Sequence, residues 1–161
     1  MIIPTKEECL LILNKNKTPS SVIEHSKTVC KVAEDIAEKL IKKGLKINKE
    51  LVIAAALLHD VERAKENHVP EGVKLLKSIG FPDIAGVIKK HSLYKLQQKN
   101  RQPHTWEEKI VFYADKRVKG SKIVSLKERF KALEKNYNVD LSKELTFTKK
   151  IERELLGNKK L

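Results

Sequence analysis

The sequence predicts an all-α protein, a helical bundle with a helical C-terminal extension, and three observations carry that prediction. Apolar residues recur at spacings of three, four and seven along most of the chain. Alternating runs of the kind that form half-buried strands are scarce. Gly and Pro mark the loops between the periodic stretches.

Residues 1–17, MIIPTKEECLLILNKNK, hold a short apolar patch but neither a basic start nor a small-residue cleavage signal. The expectation is a cytoplasmic protein. After TPSS, where Ser20 or Ser21 can cap, Val22, Val29, Val32 and Ile36 form one stripe that also carries His25, and Gly44 ends the helix. A second helix follows Asn48 and runs through LVIAAALLHDVER, apolar nearly all round and therefore central, with His59 and Asp60 near its C-terminal end. VPEGVKLLKSIG opens with Pro70 and closes with Gly80. A further helix starts near Pro82 or Asp83 and carries IAGVIKKH, with His91 close to its end. Residues 93–105, LYKLQQKNRQPHT, are polar and aperiodic, an exposed loop with the character of a lid. Thr105 and Glu108 form a capping signature ahead of WEEKIVFYADKRV, whose Val111, Asp115 and Val118 share an inward face. Ser125 and Glu128 repeat the signature before LKERFKALEKNY, and a last helix covers much of 141–156.

A length of 161 residues fits one domain, since domains commonly run about 100–200 residues. The expected core is about 20–130 and the extension about 131–161 of that single unit 1–161. No apolar run approaches the roughly 20 residues of a membrane helix, so no membrane partner is expected. Cys9 and Cys30 are the only cysteines and form no CxxC pair, which reads as buried reduced thiols. The formal charge of +13 raises nucleic acid as a partner, yet only five of the 34 basic residues are Arg and aromatics make up 5%. Phosphate and base recognition favour Arg forks and stacking surfaces. Nucleic acid is therefore not favoured, and a small anionic substrate suits the same charge.

Six side chains look selected for chemistry: His25, His59, Asp60, His68, His91 and Asp115. Imidazole and carboxylate hold borderline and hard divalent ions, and four His with two Asp suffice for two ions with open positions. Asp60 closes a wholly apolar run, and Asp115 lies on an inward face; a buried carboxylate in either place needs a cation. Lys116 and Arg117 adjoin Asp115, but sequence neighbours point to different sides of a helix. His104, in the polar loop, stands outside the pattern.

In order and spacing these residues resemble the HD-domain metal-dependent phosphohydrolase superfamily, recognised by H…HD…D. The first His matches His25 in EHSKTV, the doublet His59-Asp60 in LLHDVER, and the last Asp matches Asp115 in YADKRV. The binuclear subset adds two His, which match His68 in NHVPEGVKLL and His91 in VIKKHSL. The resemblance implies that His25, His59 and Asp115 hold one ion and His68 and His91 a second, with Asp60 bridging. It implies a metal-dependent phosphohydrolase cleaving a phosphoester or phosphoanhydride of a nucleotide or similar small phosphorylated metabolite by a metal-activated hydroxide. Mn, Fe, Co, Ni, Mg and Zn all suit these ligands.

Where the common doublet motif reads HDIGK, this chain reads HDVER, with Glu62 for Gly and Arg63 for the basic residue. A helical continuation would place Arg63 on the side of Asp60, able to grip a phosphate oxygen. Lys90, Lys116 and Arg117 are weaker candidates for that role. The GYP element of cyclic-di-GMP phosphodiesterases is missing, which disfavours that substrate. The same ligand order also resembles the mixed-valent di-iron oxygenases of the superfamily, and a non-catalytic nucleotide- or RNA-binding module with a structural metal is a third alternative.

Overall fold

The computed structural model describes residues 1–157. Its helices are α1 (Lys6–Lys15), α2 (Ser20–Lys42), α3 (Lys49–Leu58), α4 (His68–Ser78), α5 (Pro82–Ile88), α6 (Trp106–Lys116), α7 (Leu126–Tyr137) and α8 (Ser142–Leu156). A two-stranded hairpin, β1 (Val118–Lys119) and β2 (Lys122–Ile123), separates α6 from α7. The all-α expectation therefore holds, and α7 and α8 form the helical extension.

α3 is the central helix, packed against α1, α2, α5 and α6. Its sequence explains this: Val52, Ala54, Ala55, Ala56 and Leu58 are all buried, and three consecutive alanines let neighbouring helices approach from several sides. The stripe of α2 meets it through Val29, Ala33, Ile36 and Ala37, and α6 adds Ile110, Val111, Phe112 and Ala114. These apolar faces form one buried cluster. α4 lies close to α5 at Gly72, where an added Cβ would stand 3.3 Å from Ile88 Cδ1 and 3.4 Å from Val61 Cγ1.

Side-chain caps set four of the eight α-helix starts among the described residues. Asn48 accepts from the Leu51 amide, Thr105 and Glu108 form the full reciprocal box, and Ser125 accepts from the Glu128 amide. Neither Ser20 nor Ser21 caps α2; Ser20 is its first residue and Pro19 occupies the cap position without a side-chain bond. The apolar second helix stops at Leu58, so the HDVER residues lie in turns rather than in a helix. α4 begins at His68, ahead of Pro70, and His91 lies past the end of α5. The 93–105 segment is not wholly free: Leu96 is buried beneath it and Lys99–Arg101 forms a 3-10 turn.

Two elements lie outside the sequence reading. α1 carries Thr5 and Glu8 in the same reciprocal capping box as α6. The hairpin turns at Gly120-Ser121, with Gly120 at φ +60°, where a two-residue loop favours Gly first. Val118 consequently belongs to β1, not to the α6 face expected for it. Cys9 and Cys30 are free and buried. No helix among the described residues is long and apolar enough to cross a membrane.

Candidate metal centre

Four element ends and one helix face converge on a single point. His25 projects from the second turn of α2; His59 is the C-cap of α3, and Asp60 opens the turn beyond it. That turn is built from short-range bonds, Val61 N to Leu58 O at 3.1 Å, Arg63 N to Asp60 O at 2.9 Å and Lys65 N to Glu62 O at 2.9 Å. His68 is the first residue of α4, His91 lies in the turn after α5, and Asp115 is in the last turn of α6. Stopping α3 at the doublet frees both side chains from the helix surface, so they face inward together.

The donor atoms fall into two groups that share Asp60. His25, His59, Asp60 and Asp115 each offer a donor atom within 4.8 Å of the others, and so do Asp60, His68 and His91. Asp60 uses a different oxygen for each. Its Oδ2 lies 3.4 Å from His59 Nε2 and 3.9 Å from His25 Nε2, while Oδ1 lies 3.5 Å from His91 Nε2 and 3.9 Å from His68 Nε2. Asp115 Oδ1 is 3.0 Å from His25 Nε2 and 3.2 Å from His59 Nε2.

Backbone carbonyls orient three of the imidazoles. Nδ1 of His25 lies 2.7 Å from Gly120 O, that of His59 2.7 Å from Ala56 O, and that of His91 2.6 Å from Ile88 O. A carbonyl only accepts, so each Nδ1 carries a proton, and Nε2 is the ring atom turned to the centre, able to bind a cation in place of a proton. This is the arrangement of metal-ligating histidines, whose second nitrogen donates to a carbonyl or carboxylate. His59 Nε2 and Asp60 Oδ1 are buried without a hydrogen-bond partner. Although His59 Nε2 stands close to two carboxylates, those contacts lack hydrogen-bond direction. Buried polar atoms are rarely left this way, and a cation in each donor group would satisfy the orphaned atom that group contains. The donor set therefore fits divalent metal.

The electrostatics agree. Burial opposes charge on His59, but Asp60 and Asp115 outweigh it and push the imidazole up to about 10. Burial likewise opposes charge on Asp60, and His59 and His91 nevertheless hold its carboxyl well below the usual range. For Asp115, Lys116, His25 and His59 overcome the same burial. The carboxylates stay ionised and draw positive charge to one spot, where a proton on His59 and a metal ion compete.

Asp115 has a buried counter-ion that sequence geometry had argued against: Lys116 Nζ lies 2.6 Å from Asp115 Oδ2 and donates to His91 O at 2.8 Å. The end of α6 lets the long Lys stem fold back, so adjacency does not forbid the pair. Burial lowers the Lys116 pKa despite Asp115. Lys116 thus serves Asp115 and the His91 loop rather than substrate. Arg117 is also committed elsewhere, to Val124 O at 2.6 Å and Tyr113 Oη at 2.7 Å, and Lys90 reaches Gln102 O at 3.3 Å. His104 is exposed, at the 93–105 segment's end.

Arg63 stands at the mouth of the site. Its Nη1 donates to His68 Nε2 at 3.1 Å and its Nη2 to Tyr137 Oη at 3.3 Å. Desolvation, then the Arg63 charge, push His68 down to about 4, which keeps that ring neutral. Glu62 is buried and accepts from Asn16 Nδ2, while Asn16 and Thr18 also donate to Val61 O at 3.0 and 2.9 Å. The Glu that departs from the common motif therefore ties the doublet turn to the end of α1.

Two cavities open onto the centre. One of about 290 Å³ is bounded by His25, Asp60, Asp115 and Gly120; another of about 360 Å³ reaches His68, His91 and Asp115. Arg63 and Arg129 line both. A third, of about 790 Å³, lies beside His68 and is walled partly by Tyr94 and Arg101 of the 93–105 segment. Sequence reasoning missed Arg129, Tyr137 and Gly120; only for Gly120 was there a local signal, the Gly-Ser pair of a tight hairpin.

Comparison with known proteins agrees with this geometry. The chain is 32% identical over 167 residues to a tRNA (cytidine(56)-2'-O)-methyltransferase of Picrophilus torridus, covering 95% of this chain and 47% of that protein. A protein of the same name from Thermoplasma volcanium is 33% identical, over 79% of this chain and 40% of its own length. An uncharacterized protein of Methanocaldococcus jannaschii is 33% identical over 80% of this chain and 84% of its own. The chain thus spans about half the length of the two named methyltransferases. No solved structure matches it. The HD domain family model matches residues 22–118, which include all six converging side chains, and the chain belongs to the HD domain family.

Proposed function

We propose that the protein is a metal-dependent phosphohydrolase acting on a phosphoester or phosphoanhydride of a nucleotide, free or at an RNA end. The observation that carries this reading is the Asp60 carboxylate, whose two oxygens each face a separate group of imidazoles. His25, His59 and Asp115 would hold one divalent ion and His68 and His91 a second, with Asp60 shared between them. Bound divalent ions supply an activated water near neutral pH and neutralise charge on phosphoryl oxygens.

The protein's own residues prepare that chemistry. The three carbonyl-bound Nδ1 atoms fix ring orientation, so the ligands require little reorganisation. Lys116 holds Asp115 Oδ2, leaving Oδ1 for the centre. Arg63 must release the His68 lone pair before that nitrogen can bind a cation, and the guanidinium is then available to a phosphoryl oxygen at the mouth.

RNA enters this proposal because two relatives are named as tRNA-modifying enzymes, and a net charge of +13 suits a polyanion. Methyl transfer is the activity named for proteins about twice as long, so it is not carried to this chain. The test is a screen for phosphate release from free nucleotides and from RNA bearing 5′- or 3′-terminal phosphates, run anaerobically with Mn or Co. Metal-dependent release is expected; turnover that requires iron and oxygen would favour the oxygenase alternative, and tight RNA binding without turnover a binding module.

A further inference from the structure

We propose that α7, outside the residues matched by the family model, supplies a phosphate-binding residue of the site, Arg129. The inference rests on the phosphohydrolase reading above and adds to it a binding residue for the phosphoryl group.

Arg129 lines both cavities that open onto the two donor groups, one beside His25, Asp60 and Asp115 and the other beside His68 and His91. Unlike Arg63 and Arg117, it has no side-chain hydrogen-bond acceptor among the described residues. Arg63 is engaged with His68 and Tyr137, and Arg117 with Val124 and Tyr113. Arg129 Nε is buried with no hydrogen-bond partner. A guanidinium is always charged and has five donors in a planar fork. Holding one partly buried beside a cationic Lys116 is unfavourable unless an anion completes the arrangement. The carboxylates nearby are directed to the histidines and Lys116, so a bound anion is the partner that would complete the fork. The fork matches two oxygens of a phosphoryl group.

α7 is built to hold this side chain in place. Ser125 caps its start, and Leu126 and Phe130 bury its inner side. Arg129, Leu133 and Tyr137 recur every four residues, and all three line the cavity at His68 and His91. Tyr137 also accepts from Arg63. One helical face thus presents one arginine and positions another.

The probe is inorganic phosphate, titrated by calorimetry into metal-loaded protein carrying Arg129, Arg129→Ala or Arg129→Lys, with metal content measured on each. The expectation is that Arg129→Ala weakens phosphate binding at least tenfold, that Arg129→Lys falls between, and that metal per chain is unchanged in both. If Arg129→Ala is too unstable to load, the Lys variant decides, because it keeps charge and stem but loses the fork. Wild-type affinity in that variant, or in Arg129→Ala, overturns the role of Arg129 and leaves the phosphohydrolase reading standing. Failure of the wild-type, metal-loaded protein to bind phosphate overturns both.

Discussion

At the scale of single residues, Asp60 ties the two donor groups together. It is a buried carboxylate with one orphaned oxygen, held ionised by histidines on two sides. Asp60→Ala and His59→Ala are each expected to abolish turnover and lower metal content, because one removes the shared ligand and the other a central one. Metal analysis and phosphate release on the purified variants check this, and near-wild-type activity in either contradicts it. Arg63→Ala separates substrate from metal: metal content should survive, since a guanidinium is no ligand. Its kcat/KM should fall by about 2–4 kcal/mol as transition-state charge loses a partner. If catalysis survives and only the melting temperature moves, Arg63 merely braces His68 and Tyr137. Asp60 and Asp115 were legible in the sequence because a carboxylate ending an apolar run or facing a core demands a partner, whereas His25, His68 and His91 stood out only through the order they share with the HD domain family. Arg129 was not legible, because KERFKALEKNY reads as a solvated charged helix until α7 is folded across the site.

At the scale of elements, helix ends decide where the chemistry sits. Stopping α3 at Leu58 turns HDVER into a loop, which periodicity did not reveal because the residues beyond remain compatible with a helix. Glu62 explains how that loop is held: it accepts from Asn16 at the end of α1. Glu62→Ala should destabilise the fold by about 1–3 kcal/mol, the range for a lost hydrogen bond to a charged group. A denaturant midpoint unchanged from wild type would show that the α1 tether is unimportant. Cys9 of α1 and Cys30 of α2 carry a second, pH-dependent prediction. Burial pushes Cys9 up to about 12 and Cys30 up to about 11 from an ordinary 9.0. Raised folded values mean that this stability is fully present below about 9 and is lost as pH rises through 11 to 12. Unfolding free energy should therefore fall with pH above about 9, and less steeply in Cys9→Ala/Cys30→Ala. Rapid labelling of both thiols in the native protein at pH 8 would contradict their burial.

At the scale of the whole molecule, the bundle is a frame that brings together side chains spread from His25 to Asp115, with the hairpin and α7 completing it. The central helix and the order of the later helices followed from hydrophobic pattern and capping, and the candidate ligands from the family resemblance. The hairpin and the packing of α7 depend on contacts far apart in sequence, which local pattern does not encode. The central claim is that two donor groups share Asp60 and hold two ions. Calorimetric titration of metal-stripped protein with Mn or Co tests it most directly, alongside His68→Ala and His91→Ala. The wild type should bind two ions per chain and each variant one, with phosphate release appearing only on filling of the second site. A wild-type protein that saturates at one ion, or variants that still bind two, would contradict the account.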